Sequence, residues 1–226
     1  MSYSQNIDRI REVYAALEEL SKVAVFVGGA TVSLYADRAT SEVRPTEDVD
    51  VLVEIWTRKE YAAVEEKLRS KGFVNDAASG IVCRFKVQDI TVDVMPMAEA
   101  VLGFSNRWYE EGYQHAIAYT IDERCTVRIF TAPYFIASKL EAFKGRGEGD
   151  GRTSQDFEDI VYVLNNRSTV WREMQESPQT VKDYLKKEMK GLLQNPHADE
   201  WISANLDFYE RSRTEYILQG LHGFVK

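Results

Sequence analysis

The stretch from Val25 to Val53 constrains the fold most, because two apolar runs of strand length lie within or beside it. The first run, Val23–Val27, is wholly apolar and ends at Gly28-Gly29, which is typical of a buried strand that enters a tight turn. The second run, Asp48–Glu54, alternates acidic and apolar residues before it becomes apolar. The residues between them predict a helix over about 30–38 and a loop over 41–46 that contains Pro45. The stretch therefore predicts two sheet strands separated by a helix.

The rest of the chain divides into a mixed front part and a helical back part. In the front part, periodicity predicts helices over about 6–22 and 59–71, and strands over 81–85, 90–95 and 126–130. A turn near Gln88-Asp89 joins the first two of these strands. In the back part it predicts helices over about 133–144, 155–165, 170–175, 181–193 and 205–221. Four glycines within Gly145–Gly151 indicate a mobile loop. We therefore expect an α+β fold, with a mixed sheet and its flanking helices over residues 1–130 and a helical part over 131–226.

Composition excludes several classes of protein. No apolar run approaches the 18 residues of a membrane span, and the polar N-terminus lacks a signal-peptide pattern. Two cysteines and three histidines are too few and too scattered for a disulfide framework or a zinc cluster. The net charge of −8 argues against indiscriminate nucleic-acid binding, and most of the acid excess lies in the front part. A reduced, cytoplasmic location without membrane partners is the expectation.

Three aspartates in predicted strands form a candidate metal site. Asp48 and Asp50 point to one face of their strand, because alternate side chains of a strand share a face. If the strand that carries Asp93 lies beside theirs, all three carboxylates converge, and a hard divalent cation such as Mg²⁺ would offset their charge. Alternatively, Asp48 is a loop residue, Asp50 faces water at a sheet edge, and Asp93 belongs to a half-exposed strand.

The glycine pair after the first strand is a second candidate feature. Gly28-Gly29 would let a ligand approach the backbone closely, and amides at the start of the following helix could face a phosphate. The same pair is also explained by a tight turn between strand and helix.

A third set of candidate residues lies in the helical part. Lys139 and Arg146 are two helical turns apart and share a face, and Asp156 and Asp159 share a face of the next helix. A lysine and an arginine aimed at a triphosphate would stabilise the departing pyrophosphate. The alternative is a set of ion pairs on a helix surface.

In this order, the motifs resemble one known family. Val27-Gly28-Gly29-Ala30-Thr31 followed by Arg44-Pro45-Thr46-Glu47-Asp48-Val49-Asp50 forms one block, and Ser138–Arg146 followed by Gln155–Ile160 forms another. Together they resemble the AbiEii-type toxin nucleotidyltransferases of type IV toxin–antitoxin systems, within the DNA polymerase β-like superfamily. The resemblance covers residues 20–165; Gln155 stands where that family commonly has lysine, and the glycine-rich segment lengthens the gap before Asp156.

The resemblance implies a role for each matching residue. It implies Mg²⁺, or Mn²⁺ in its place, at Asp48, Asp50 and Asp93, with catalytic roles for Asp48, Asp50, Lys139 and Asp156. It also implies that the nucleoside triphosphate substrate is bound by Gly28, Gly29, Thr31, Arg44, Thr46, Lys139 and Arg146.

The expected activity is transfer of a nucleoside monophosphate from an NTP to an acceptor hydroxyl. The resemblance favours a tRNA 3′ end or a protein as acceptor, and a cognate antitoxin as partner. Two alternatives remain open: an antibiotic nucleotidyltransferase of the aminoglycoside or lincosamide type, and a catalytically silent nucleotide-binding regulator that has kept the fold.

Overall fold

The computed structural model describes residues 2–38, 43–146 and 149–226. Over these residues the fold is α+β, with a mixed sheet flanked by helices, as expected from the sequence. Contacts divide the chain into two compact units. The first contains residues 2–34 and 43–131, and the second contains residues 35–38, 132–146 and 149–226. Residues 35–38, which the sequence analysis left in the front part, thus belong to the helical unit.

The first unit is built on a sheet that has seven strands in the described part of the chain. In chain order the strands are β1 Val25–Val27, β2 Asp48–Val53, β3 Val74–Asn75, β4 Arg84–Val87, β5 Ile90–Pro96, β6 Ile117–Asp122 and β7 Cys125–Ile129. Across the sheet their order is β3-β4-β5-β2-β1-β7-β6. The β2–β5 and β1–β7 pairs are parallel and the other pairs are antiparallel. The sequence analysis had not predicted the short edge strand β3 or the edge strand β6.

Strand β2 lies among the inner strands, between β5 and β1. Its last three residues are all buried, so at this end both faces are covered, as in strands of parallel sheets. At its other end only Val49 is buried, while Asp48 and Asp50 remain half-buried. The acidic side chains therefore lie at the one part of the strand where a side chain reaches solvent.

Four α-helices accompany the sheet in the described part of the first unit: α1 Ser2–Leu17, α2 Arg58–Ser70, α3 Glu99–Leu102 and α4 Tyr109–Gln114. α1 buries Ile7, Ile10, Val13 and Leu17 on one face. It ends earlier than predicted, because Glu18, at φ +50°, begins a 3₁₀ segment that continues to Lys22. A capping box between Thr57 and Glu60 begins α2.

The helix predicted after the glycine pair is a 3₁₀ helix, Gly29–Tyr35. Each residue from Ala30 to Tyr35 is buried, so the segment lacks the polar face of an amphipathic α-helix. Its first turn is closed by Thr31, whose backbone N–H and hydroxyl both donate to the carbonyl of Gly28. Thr31 therefore closes the tight turn with which this helix begins.

A two-residue turn joins β4 and β5, as the sequence predicts. Both turn residues have positive φ, +49° at Gln88 and +66° at Asp89, which is the backbone of the turns that suit the twist of a hairpin. This turn sets the register, in which Val87 is opposite Ile90 and Arg84 is opposite Asp93. Arg84 and Asp93 therefore lie side by side.

The second unit is helical in its described residues. Its α-helices are α5 Ala132–Arg146, α6 Gln155–Asn166, α7 Val170–Glu176, α8 Gln179–Gln194, α9 Ala198–Ala204 and α10 Thr214–Phe224, and a 3₁₀ helix, Phe208–Arg213, precedes α10. The sequence pattern does not predict α9, and it predicts a single helix over 205–221 where the structure has the 3₁₀ helix and α10. None of the helices in the described ranges of the whole chain has the length and apolar character needed to cross a membrane.

Residues 35–38 are held by the helical unit through hydrogen bonds. The Asp37 amide donates to the carbonyl of Asn166, and its carboxylate accepts from the Ser168 amide and hydroxyl. Arg38 donates to Asn166 and pairs with Glu210. These contacts join residues that are more than 100 positions apart in the sequence, and they explain why residues 35–38 belong to the helical unit.

The glycine-rich segment is more ordered than its composition suggests, at least at its two ends. Gly145 and Arg146 complete α5, and Gly147 and Glu148 lie outside the described residues. Gly151 is buried, and a Cβ there would lie 2.7 Å from the ring of Trp201. Its carbonyl accepts a hydrogen bond from Asn205. Gly151 is therefore packed and hydrogen-bonded, and the mobility of the segment stays a prediction.

Candidate carboxylate site

The pairing of β2 with β5 brings two of the predicted metal ligands side by side. In this parallel ladder Asp50 is opposite Asp93, and Asp48 is opposite Thr91. The strand adjacency on which the sequence analysis depended is therefore present. Neighbouring strands are separated by about 4.8 Å, so carboxylates on a shared face of this pair lie within reach of a common partner.

That common partner is Arg84, which the sequence analysis did not identify. Its Nε donates to Oδ1 of Asp93 at 2.8 Å, and its Nη2 donates to Oδ2 of Asp93 at 2.7 Å. The same Nη2 also lies 3.1 Å from Oδ2 of Asp48. Because one nitrogen contacts both carboxylates, these two oxygens lie within about 6 Å of each other.

The guanidinium offsets part of a concentrated negative charge. Asp48, Asp50, Asp93 and Arg84 together carry a formal charge of −2, which equals the charge that one divalent cation would neutralise. Hydrogen bonding to Asp93 raises the pKa of Arg84, so the guanidinium stays charged. Burial raises the pKa of the adjacent Cys83 thiol to about 12, and the charges of Asp93 and Asp50 add to the rise. The thiol is therefore neutral at neutral pH and is a poor nucleophile.

Gly28 is required by the position of Asp50. Val27, the last residue of β1, is opposite Asp50, and Gly28 follows it with φ +72°. A Cβ at Gly28 would lie 1.8 Å from Oδ2 of Asp50, far inside any permitted contact. The glycine thus provides both the left-handed backbone and the space in which the carboxylate lies.

Two other residues of the first motif, Gly29 and Thr31, begin the 3₁₀ helix beside this carboxylate. The Thr31 side chain is fully buried, and its hydroxyl donates to Gly28 at 2.9 Å. This hydrogen bond supports the alternative hypothesis, in which the glycine pair makes a tight turn between strand and helix. A direct nucleotide contact by Thr31 stays a prediction.

Arg44 and Thr46 lie in a loop that is fastened to α1 by Asn6. The Asn6 side chain is fully buried; its amide donates to the Arg44 carbonyl, and its Oδ1 accepts from the Thr46 amide at 3.0 Å. Asn6 is a second residue that sequence reasoning missed, because a polar residue in an otherwise amphipathic helix carries no periodic signal. Its contacts set the chain path into Asp48.

The carboxylates fit a divalent cation in part. Asp48 and Asp50 offer hard oxygen ligands, and the Asp48 side chain is 38 % exposed. Within residues 2–38, 43–146 and 149–226, no group of three acidic, histidine or cysteine side chains is arranged to hold a metal ion. Since both oxygens of Asp93 accept from Arg84, the fit is to a site at Asp48 and Asp50, and ligation by Asp93 stays a prediction.

The third set of candidate residues forms an ion cluster within the helical unit, in which three of the four side chains are buried. Lys139 of α5 lies 2.6 Å from Asp159 and 3.1 Å from Asp156, both on α6. Arg146 reaches Asp156 at 2.9 Å. The two cations and two carboxylates cancel, so this cluster is electrically neutral. As predicted from the sequence, the two cations share a face of α5 and the two carboxylates share a face of α6. The two helices therefore pair through these side chains.

Lys139 is held in its charged form by this cluster. Burial opposes the charge of the ammonium, but attraction by Asp159 and Asp156 outweighs it and raises the pKa of Lys139. Because the pKa is raised on folding, the stabilisation is present at neutral pH and is lost only as the pH rises through the raised pKa. By contrast, the side chain of Arg146 is 73 % exposed. Of the two predicted phosphate-binding cations, Arg146 is the accessible one.

No protein-family model matches the chain, and no curated protein matches it. Neither comparison therefore assigns the chain to a family.

The close approach of Asp50 to Gly28 can be separated from the backbone conformation. Gly28→Ala and Gly80→Ala both place alanine at a similar positive φ, +72° and +70°, but a Cβ at Gly80 meets nothing within 4 Å. We expect Gly80→Ala to cost about 1–2 kcal/mol of unfolding free energy. Gly28→Ala should cost about 1–3 kcal/mol more, because Asp50 must move. Urea denaturation measures both; equal losses would show that Asp50 tolerates the added methyl group.

The buried cluster predicts a large difference between two lysines of α5. Lys139→Met leaves two buried carboxylates without their central partner and should lower the unfolding free energy by about 3–5 kcal/mol. Lys144→Met removes a half-exposed lysine that pairs with Glu141 and Glu188, and should cost less than about 1 kcal/mol. Denaturation followed by circular dichroism compares the two, and similar losses would contradict a buried cluster.

Proposed function

We propose that this protein is a nucleotidyltransferase that requires Mg²⁺, or Mn²⁺ in its place, and moves a nucleoside monophosphate from an NTP to an acceptor hydroxyl. The observation that carries the proposal is the placement of Asp48 and Asp50 on one face of β2, beside a glycine turn and next to the strand that carries Asp93. Paired carboxylates on one strand face are suited to a cation that binds phosphate oxygens. The order of the sequence motifs supports the same activity and a nucleotidyltransferase-like fold.

The residues of the first unit would have different roles in this reaction. Asp48 and Asp50 would hold the cation, which when bound neutralises phosphate charge and aligns the attacking hydroxyl with the α-phosphorus. Gly28 would give Asp50 the space that it needs to face the cation. The resemblance assigns Gly28 and Gly29 to phosphate binding through the backbone of this turn. The acceptor oxygen forms the new bond to phosphorus as the bond to pyrophosphate breaks, and a carboxylate of the site would accept the proton of the hydroxyl.

The resemblance assigns two cationic residues of the helical unit, Lys139 and Arg146, to phosphate binding. Arg146 pairs with Asp156 and its side chain is 73 % exposed, so of these two cations it is the one that would contact a triphosphate. Lys139 would act chiefly by holding Asp156 in place, because its ammonium is buried between two carboxylates. This division changes the role expected of Lys139 from direct contact to positioning.

The acceptor class rests on the motif resemblance alone. It favours a tRNA 3′ end or a protein, and with it a toxin role countered by a cognate antitoxin. An antibiotic acceptor and a silent nucleotide-binding protein are the alternatives that the experiment must separate.

The proposal predicts metal-dependent labelling by α-³²P-NTP. The purified protein is incubated with each labelled NTP and Mg²⁺, with total tRNA, with protein alone, and with an aminoglycoside or a lincosamide. We expect label on tRNA or protein, and we expect Asp50→Asn to reduce it by more than about 100-fold. Asp89→Asn is the matched control, because Asn suits the positive φ of that turn residue and Asp89 lies outside the carboxylate group.

The possible results of this experiment distinguish the hypotheses about function. Label on an antibiotic alone would replace the proposed acceptor but keep the reaction class. Metal-dependent NTP binding without any label would favour the silent protein. Labelling that survives Asp50→Asn would contradict the carboxylate site.

A further inference from the structure

Arg84 contacts the two strands of the carboxylate site unequally. It makes two bonds to Asp93, at 2.8 and 2.7 Å, through different nitrogens, whereas it makes one longer contact of 3.1 Å to Asp48. The side chain of Asp93 is 12 % exposed and that of Asp48 is 38 % exposed. A forked pair with a buried carboxylate is the stronger interaction, so the contact to Asp48 is the one that can be given up.

We propose that Arg84 is a positioning residue that competes with the divalent cation for Asp48 and stays paired with Asp93 when the cation binds. This inference rests on the proposed function, because it takes Asp48 and Asp50 as the cation ligands. Asp93 would then act as the anchor of Arg84 and not as a ligand. Cation loading would amount to an exchange at one carboxylate oxygen, with the guanidinium left beside the site.

The exchange of Arg84 for the cation follows from the repulsion between two positive charges and from the limited space at Oδ2 of Asp48. A Mg²⁺ ligand oxygen lies about 2.0–2.1 Å from the ion, and Oδ2 of Asp48 cannot keep its present contact with a guanidinium nitrogen while a second cation approaches from the same side. Breaking the Asp93 pair instead would leave a buried carboxylate without a partner, which is far more costly. After the exchange, Arg84 retains donors that could face a phosphate oxygen.

The test measures Mn²⁺ affinity by calorimetry, without any turnover. Arg84→Gln should bind Mn²⁺ about tenfold more tightly than the natural protein, because the competing charge is removed. Arg84→Lys keeps a charge for Asp93 but lacks the fork that also reaches Asp48, so it too should bind more tightly. Asp93→Asn should bind more weakly, since Arg84 loses its anchor and turns to Asp48.

The double variant Arg84→Gln/Asp93→Asn distinguishes an anchor from a ligand. Its two neutral amides can pair with each other, so it keeps the buried pair satisfied and is expected to fold, which thermal unfolding verifies. If Asp93 is the anchor, the double variant binds Mn²⁺ as tightly as Arg84→Gln. A loss of affinity relative to Arg84→Gln would show that Asp93 is a ligand and would overturn the inference.

The remaining outcomes separate this inference from the proposed function. Unchanged or weaker binding by Arg84→Gln, or binding by Arg84→Lys equal to that of the natural protein, would overturn the competition while leaving the cation site intact. Absence of Mn²⁺ binding by the natural protein and by all variants would overturn the cation site and the inference together.

Discussion

The contact between Arg84 and two aspartates is the interaction on which the candidate site depends. Three carboxylates converge where β2 meets β5, and without a cation they would repel one another and raise the cost of folding this part of the sheet. Arg84 reaches this position because a two-residue turn sets it opposite Asp93. The same guanidinium therefore stabilises the sheet and defines which carboxylates are accessible to a ligand.

The two units differ in how completely their clustered charges are balanced. In the helical unit, Lys139 and Arg146 balance Asp156 and Asp159, so the cluster is neutral and serves to join α5 to α6. In the sheet unit, Arg84 pairs with Asp93 and Asp48, and these three side chains together carry a formal charge of −1. A residual charge at a partly exposed position is a reason for ligand binding, whereas a balanced buried cluster is a reason for stability.

Much of the sheet unit was predictable from residue patterns. Apolar runs and alternation gave β1, β2 and β5, and the turn at Gln88-Asp89 was recognised. Counting outward from that turn would also have paired Arg84 with Asp93, so this signal was present but unused. The edge strands β3 and β6 were missed, since β3 has two residues and β6 is largely exposed and lacks a buried periodicity. The buried 3₁₀ helix after Gly28 resembled an α-helix because both are apolar.

We propose that Asp48 and Asp50 form a divalent-cation site from which Arg84 is displaced. A crystal structure at saturating Mn²⁺, with anomalous scattering used to locate the ion, tests this directly. We expect an anomalous peak bound by Asp48 and Asp50, with Arg84 paired to Asp93 and withdrawn from Asp48. Absence of a peak at these carboxylates, with Arg84 still bridging Asp48 and Asp93, would contradict it.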